Sequence, residues 1–195
     1  MVNFKKLKRG PQVILPKDAA LIVAYSGLSS GCKLLDAGTG SGWLAIFLAR
    51  LVYPGEVHTY EKRKEFYKIA RKNIDLSGLK NIKLFNQDIK KAKIKEKYDV
   101  ITLDLQQPYK LIEKLDKNLK RKGTFVIYSP NIEQIKESVK VFEKHNYQTK
   151  TFENIVREWQ IGFSSHPIHS GILHTGFICF GYKGKNIKKF QYLFL

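Results

Sequence analysis

The chain has 195 residues, 43% of them apolar and 12% aromatic, with 35 Lys and Arg against 17 Asp and Glu for a formal net charge of +18. That length supports one well-buried α/β domain rather than two, and the apolar content excludes a disordered chain. No apolar run reaches the length of a membrane span, the cationic first ten residues lack an apolar signal core behind them, and Cys32 and Cys179 are too few for a secreted disulfide scaffold, so a cytoplasmic protein is expected.

The positive charge is clustered. Residues 1–17 carry five cations and no acid, 90–97 carry five lysines against Glu96, 110–122 carry six cations against Glu113 and Asp116, and 183–189 carry four lysines and no acid. One such run is an ordinary solvated surface; four together point to a polyanion partner, and to nucleic acid first.

After the basic arm, residues 10–18 form a short extended piece bracketed by Pro11 and Pro16. Asp18 is placed to cap the following helix, whose face includes Ala20, Leu21 and Ala24. A buried strand follows from Cys32 to Asp36. Then three glycines alternate with small hydroxyl residues: Gly38, Thr39, Gly40, Ser41, Gly42. Leu44, Phe47, Leu48 and Leu51 recur at i, i+3, i+4 and i+7, which predicts a helix. Strand, glycine turn and helix in succession let a nucleotide-like ligand lie against the backbone. The spacing differs from the G-x-G-x-x-G of a dinucleotide site, and no P-loop Gly-Lys-Ser/Thr follows.

A second strand over 56–61 ends on Glu61, where nucleotide-binding α/β folds place an acid for the ribose hydroxyls. The simpler alternative is a surface salt bridge to Lys62 or Arg63. Phe66, Ile69, Ala70 and Ile74 mark the next helix, closed by Gly78. The third strand covers 82–85, and Asp88 behind it is suited either to accept from an adenine amino group or to cap the next turn. Residues 98–105 read as a near-continuous apolar fourth strand and 123–128 as a fifth. Ile132, Ile135, Val139 and Phe142 predict a helix, and 147–152 and 172–182 two further strands. Strands alternating with helices predict an α/β fold, a Rossmann-like doubly wound, mostly parallel seven-stranded sheet. In such a sheet strands one and four are neighbours, and ligands bind outside their carboxyl ends. Asp104 ends strand four and is expected to face that pocket, because Gln107 and Pro108 suit the cap and first position of the next helix.

The Asp36-to-Gly42 stretch resembles the first motif of the class I S-adenosylmethionine-dependent methyltransferases. A narrower resemblance runs through residues 10–18, 36–42, Asp104-Leu-Gln-Gln-Pro108, Tyr128-Ser-Pro-Asn131, Arg157-Glu-Trp159 and His174-Thr-Gly-Phe177, which follow one another as in the tRNA (adenine-N1)-methyltransferases. The resemblance implies methyl transfer from S-adenosyl-L-methionine to N1 of a T-loop adenine in tRNA, in a homotetramer. It implies cofactor contacts from Gln12, Asp36, the turn Gly38-Thr39-Gly40-Ser41-Gly42, Glu61, Lys62, Asp88, Ile89 and Asp104. Asp104 is the implied catalytic carboxylate, accepting a hydrogen bond from the adenine amino group. Leu15, Tyr128, Pro130, Asn131, Arg157 and His174 are the implied substrate contacts.

One domain is expected over 1–195, with a basic arm (1–10) and a basic, aromatic tail (183–195) in place of the small β-rich domain that family members carry in front. A small-molecule methyltransferase of the corrinoid-precursor type, or an RNA-binding scaffold subunit without cofactor, are the competing readings. His166, His169 and His174 with Cys179 match no standard zinc spacing, and no metal is expected.

Overall fold

The computed structural model describes residues 4–10, 12–168 and 174–184. Five strands, β1 (Leu34–Ala37), β2 (Val57–Tyr60), β3 (Ile82–Phe85), β4 (Tyr98–Leu103) and β5 (Leu119–Ser129), pair in parallel. β6 (Gln148–Glu153) closes the far edge, after a two-stranded ribbon of β7 (Trp159–Gln160) and β8 (His166–Pro167) has been inserted in the chain before β9 (Phe177–Tyr182). The sheet order is β3-β2-β1-β4-β5-β9-β6, with β9 antiparallel to both neighbours. This is the expected seven-stranded, doubly wound sheet, and β1 and β4 are adjacent as required. The tail beyond 184 and His169 lie outside the described residues.

Helices α1 (Pro16–Ser26), α2 (Trp43–Val52) and α3 (Lys64–Ser77) cover one face, and α4 (Tyr109–Leu115) and α5 (Ile132–Lys144) the other. Alternate residues of each central strand supply the two cores: Leu34, Val57, Val100 and Val126 face the first, and Leu35, Ile101, Phe125 and Ile127 the second. Each such side chain removed from water contributes roughly 1.5–3 kcal/mol. Tightness is visible at Gly181, where a Cβ would stand 2.5 Å from the ring of buried Phe142.

The structure corrects three local expectations. Asp18 does not cap α1; Leu15 holds that position, and Asp18 is fully buried inside the first turn. The buried side of α1 is Asp18, Ala19, Ile22 and Ser26, while Ala20 and Ala24 are exposed, because residues on the other side already pack on the sheet. In α2, Leu51 is exposed and Ile46, Ala49 and Val52 are buried instead. No helix joins β3 to β4. The chain crosses there as an irregular segment in which Ile89 and Ala92 anchor to the core, since its lysine-rich sequence has too few apolar residues for a helical stripe. No described helix is long and apolar enough to cross a membrane.

Candidate active site

The turn after β1 is shaped by its glycines. Gly38, Gly40 and Gly42 have φ of 100°, 55° and 84°, in the left-handed range that L side chains rarely adopt. At Gly38 a second constraint applies: a Cβ would lie 1.9 Å from the carbonyl oxygen of Asp104. Absence of that one atom lets the segments following β1 and β4 touch. The contact is held by the Asp104 amide donating to Ala37 O at 2.9 Å, while the Gly38 amide ties the turn to the other neighbour, β2, by donating to Tyr60 O at 3.1 Å.

Three carboxylates converge here, each in a different state. Asp36 is buried, and its two oxygens accept from the Thr59 and Thr102 hydroxyls, both at 2.6 Å, its register neighbours on β2 and β4. Burial raises its pKa, the threonine bonds opposing. Glu61 is also buried; one oxygen accepts from the Gly40 amide at 2.9 Å and the other from the Arg63 amide at 2.9 Å, with Arg63 Nε at 3.5 Å. Asp104 is different: among the described residues no group donates to its carboxylate. Burial, reinforced by the charges of Asp36 and Glu61, pushes it up to about 7, with only the Arg63 guanidinium opposing.

Gln12, Gly38, Thr39, Gly40, Ser41, Glu61 and Asp104 line one cleft. Val13, Ile14, Trp43, Leu44 and Arg63 complete its walls and were not singled out from the sequence. Val13 and Ile14 belong to the extended piece before α1, whose proline bracket was the available signal. Arg63 leans on Phe66, its guanidinium 3.9 Å from the ring centre.

Other expected contacts stand elsewhere. Asp36 and Gly42 support the cleft without lining it, and Lys62 is exposed beside it. Asp88 does what its simpler reading required: its carboxylate accepts the Lys90 amide at 2.9 Å and caps a turn. Ile89 is buried in the core. Leu15 closes the start of α1.

A second cluster forms around Tyr128. Its hydroxyl donates to Thr175 O at 2.7 Å, and burial pushes its phenol up to about 12, helped by the Asp18 and Asp104 charges. Thr175 Oγ1 donates to Asp18 at 2.8 Å and accepts from Lys17 Nζ at 2.7 Å. His174 places Nδ1 2.5 Å from Glu153 and Nε2 3.3 Å from Pro130 O. Both partners are acceptors, so the doubly protonated ring satisfies both, and Glu153 first, then Pro130, raises its pKa. Asn131 accepts the Glu133 amide and caps α5. Arg157 is exposed on the segment between β6 and β7.

Residues 5–175 match the family described as the tRNA methyltransferase complex GCD14 subunit. The chain belongs to this family. It is 37% identical over 205 residues to the Methanocaldococcus jannaschii tRNA (adenine(57)-N(1)/adenine(58)-N(1))-methyltransferase TrmI, covering 90% of this chain and 73% of that one. With the Thermus thermophilus tRNA (adenine(58)-N(1))-methyltransferase TrmI it shares 35% identity over 177 residues, 88% of this chain and 69% of the other. The crystal structure of TrmI from Aquifex aeolicus superposes with a TM-score of 0.84 at 32% identity, covering 93% of this chain and 74% of that one. The chain is thus a methyltransferase-family protein with the methyltransferase sheet.

The residues present fit a cofactor of the class such enzymes use. Ser41 lines the cleft, and its Oγ is buried without a hydrogen-bond partner. Such a group is costly unless a ligand satisfies it. Glycines at 38 and 40 leave that part of the cleft lined by backbone, and Glu61 is an acceptor at the end of β2.

Proposed function

We infer that this chain methylates N1 of an adenine in the T-loop of tRNA, with S-adenosyl-L-methionine as methyl donor. The observation that carries this reading is Asp104: a carboxylate that no described group donates to, beside the glycine turn in the same cleft, pushed up to about 7 by burial. Gln12, the 38–42 turn and Glu61 would hold the cofactor, which supplies an electrophilic sulfonium methyl group when bound. Glu61 would take the ribose hydroxyls once Arg63 Nε swings aside, its weak 3.5 Å contact being the easiest to break. Asp88 and Ile89 would border the adenine of the cofactor, and Lys62 and Asp36 would act at longer range.

N1 of adenine is a modest nucleophile whose lone pair is coupled to the exocyclic amino group. Asp104 as carboxylate accepts a hydrogen bond from that amino group and pushes electron density toward N1. As N1 gained the methyl group, the donor's S–CH3 bond would break with its electron pair left on sulfur as a neutral thioether, and Asp104 would stabilise the positive charge passed to the ring and accept the amino proton. A pKa near 7 suits both the acceptor state and the proton transfer. Val13, Ile14 and Trp43 supply the apolar part of this cleft's lining. Tyr128, Pro130 and Asn131 would form the slot for the flipped base, with Leu15, Arg157 and His174 at its mouth. The described residues would act as one methyltransferase domain, in the cytoplasm. A homotetramer is consistent with exposed Ile161 and Phe163 in the segment between β7 and β8.

The direct test is incubation with unmodified tRNA and labelled S-adenosyl-L-methionine, followed by nucleoside analysis. Labelled 1-methyladenosine is expected. Label in another nucleoside, or in none while the cofactor binds, overturns the reading.

A further inference from the structure

Two of the basic runs, far apart in the sequence, meet in the fold. The segment joining β3 to β4 buries Ile89 and Ala92 against Leu111 and Leu115 of α4, so Lys91 and Lys93 turn outward beside that helix. Lys114 in the last turn of α4 and Lys117 in the 3-10 turn Asp116–Asn118 face them across a cavity of about 310 Å³. No acid lines this cavity, and none of its residues lines the cleft.

We propose that Lys91, Lys93, Lys114 and Lys117 form a docking site for the phosphate backbone of the tRNA, separate from the methyl-transfer cleft. Three observations converge on it. First, the fold pairs lysines with acids at many other places: Lys33, Lys83, Lys120, Lys136, Lys140, Lys144 and Lys183 each have a carboxylate within 3.3 Å. Among the described residues the four cavity lysines have none, so an external anion would supply the counter-charge that the fold does not.

Second, the walls are braced. Lys114 Nζ donates to Ile89 O at 3.0 Å and Lys90 O at 2.5 Å, and the Asn118 amide donates to Ile94 O at 3.1 Å and Glu96 O at 2.8 Å. These four bonds tie the crossing segment to α4, fix the Lys114 side chain and hold the backbone that carries Lys91 and Lys93 in place before any ligand arrives, which lowers the ordering cost of binding. Third, the cations are all lysine. Point charges without a planar fork bind phosphate without reading bases, which suits a contact that positions an RNA rather than selects its sequence.

This site rests on tRNA being the substrate, and the experiment separates the two. Equilibrium tRNA binding is measured without cofactor over a salt titration for the full-length wild type and for Lys91→Gln/Lys93→Gln/Lys117→Gln. Lys114 is left intact because it braces the segment. The triple variant is expected to bind tRNA roughly 10- to 100-fold more weakly and to flatten the slope of log affinity against log salt by about three. Its thermal midpoint and cofactor affinity should stay at wild-type values. Lys136→Gln/Lys140→Gln/Lys144→Gln, on acid-paired lysines of α5, should leave the slope nearly unchanged, and Lys93→Gln alone should flatten it by about one. Wild-type affinity and slope in the triple variant overturn the proposal. Inorganic phosphate that binds the wild type but not the triple variant, with tRNA affinity equal in both, overturns it in favour of a small-anion site. A wild type that binds tRNA at these lysines yet forms no 1-methyladenosine overturns the proposed activity instead.

Discussion

The two ends of the parallel sheet use carboxylates in opposite ways. At the amino ends, Glu56 and Glu96 surround His58 and are matched by Lys33 and Lys83. The bond to Lys83, with those to His58 and Lys33, holds Glu56 down to about 2, and Lys33 lowers Glu96. Among the described residues this is the one cluster with metal-ligating types in reach of each other, but both carboxylates are already engaged by ammonium groups. At the carboxyl ends, Asp36, Glu61 and Asp104 crowd together with one guanidinium, Arg63, among them, and Asp104 rises to about 7. The first end is arranged for stability. The second carries unrelieved repulsion, which is the arrangement a reactive site needs and a structural one avoids.

The sharpest way to break this contrast is Asp104→Asn. Methyl transfer is expected to fall on the order of 1000-fold in single-turnover assays, with calorimetric cofactor affinity within a few-fold of wild type. Because the folded pKa lies above the ordinary carboxylate value, the folded protein binds this proton more tightly than the unfolded chain. Stability is therefore lost as pH rises from about 4 through about 7. Asp104→Asn should recover on the order of 2 kcal/mol above pH 7, allowing for the partial exposure of the group. Activity within tenfold of wild type removes Asp104 from the chemistry. The kcat/KM of the wild type should fall on the acid side of about pH 7.

Gly38→Ala attacks the same end through the backbone. The new Cβ must displace the Asp104 carbonyl, and the strain of about 3 kcal/mol should weaken cofactor binding roughly 100-fold. Unchanged affinity would mean that the turn does not hold the ligand. Tyr128→Phe removes the bond to Thr175 O, and a loss of about 1 kcal/mol in denaturant unfolding is expected. The smallest effect belongs to the other end. Glu56 has a depressed pKa, so its contribution is present above the ordinary carboxylate range and lost as pH falls toward 2. Glu56→Gln should cost about 0.5 kcal/mol at neutral pH, vanish in acid and high salt, and leave methyl transfer intact. A change in turnover there would erase the distinction between the two ends.

The strand order, the glycine turn and the adjacency of β1 to β4 were legible because each follows from local sterics and hydrophobic period. Asp18 was read as a cap. That error comes from a tertiary partner: Thr175, 157 residues further on, donates to the Asp18 carboxylate, which neighbouring Lys17 also engages. Asp88 kept two readings in the sequence, and the hydrogen bond to Lys90 gives it a structural task whichever ligand it also meets.

What the sequence determined by itself is the turn of three left-handed glycines behind a buried strand, since only residues without a Cβ accept that backbone. What tertiary structure decided is the charge state of what surrounds it. Whether a carboxylate is neutralised by a threonine pair, an amide pair or nothing, and whether a lysine finds an acid, depends on groups brought together from distant positions and on the water they lose, and neither is written in spacing along the chain.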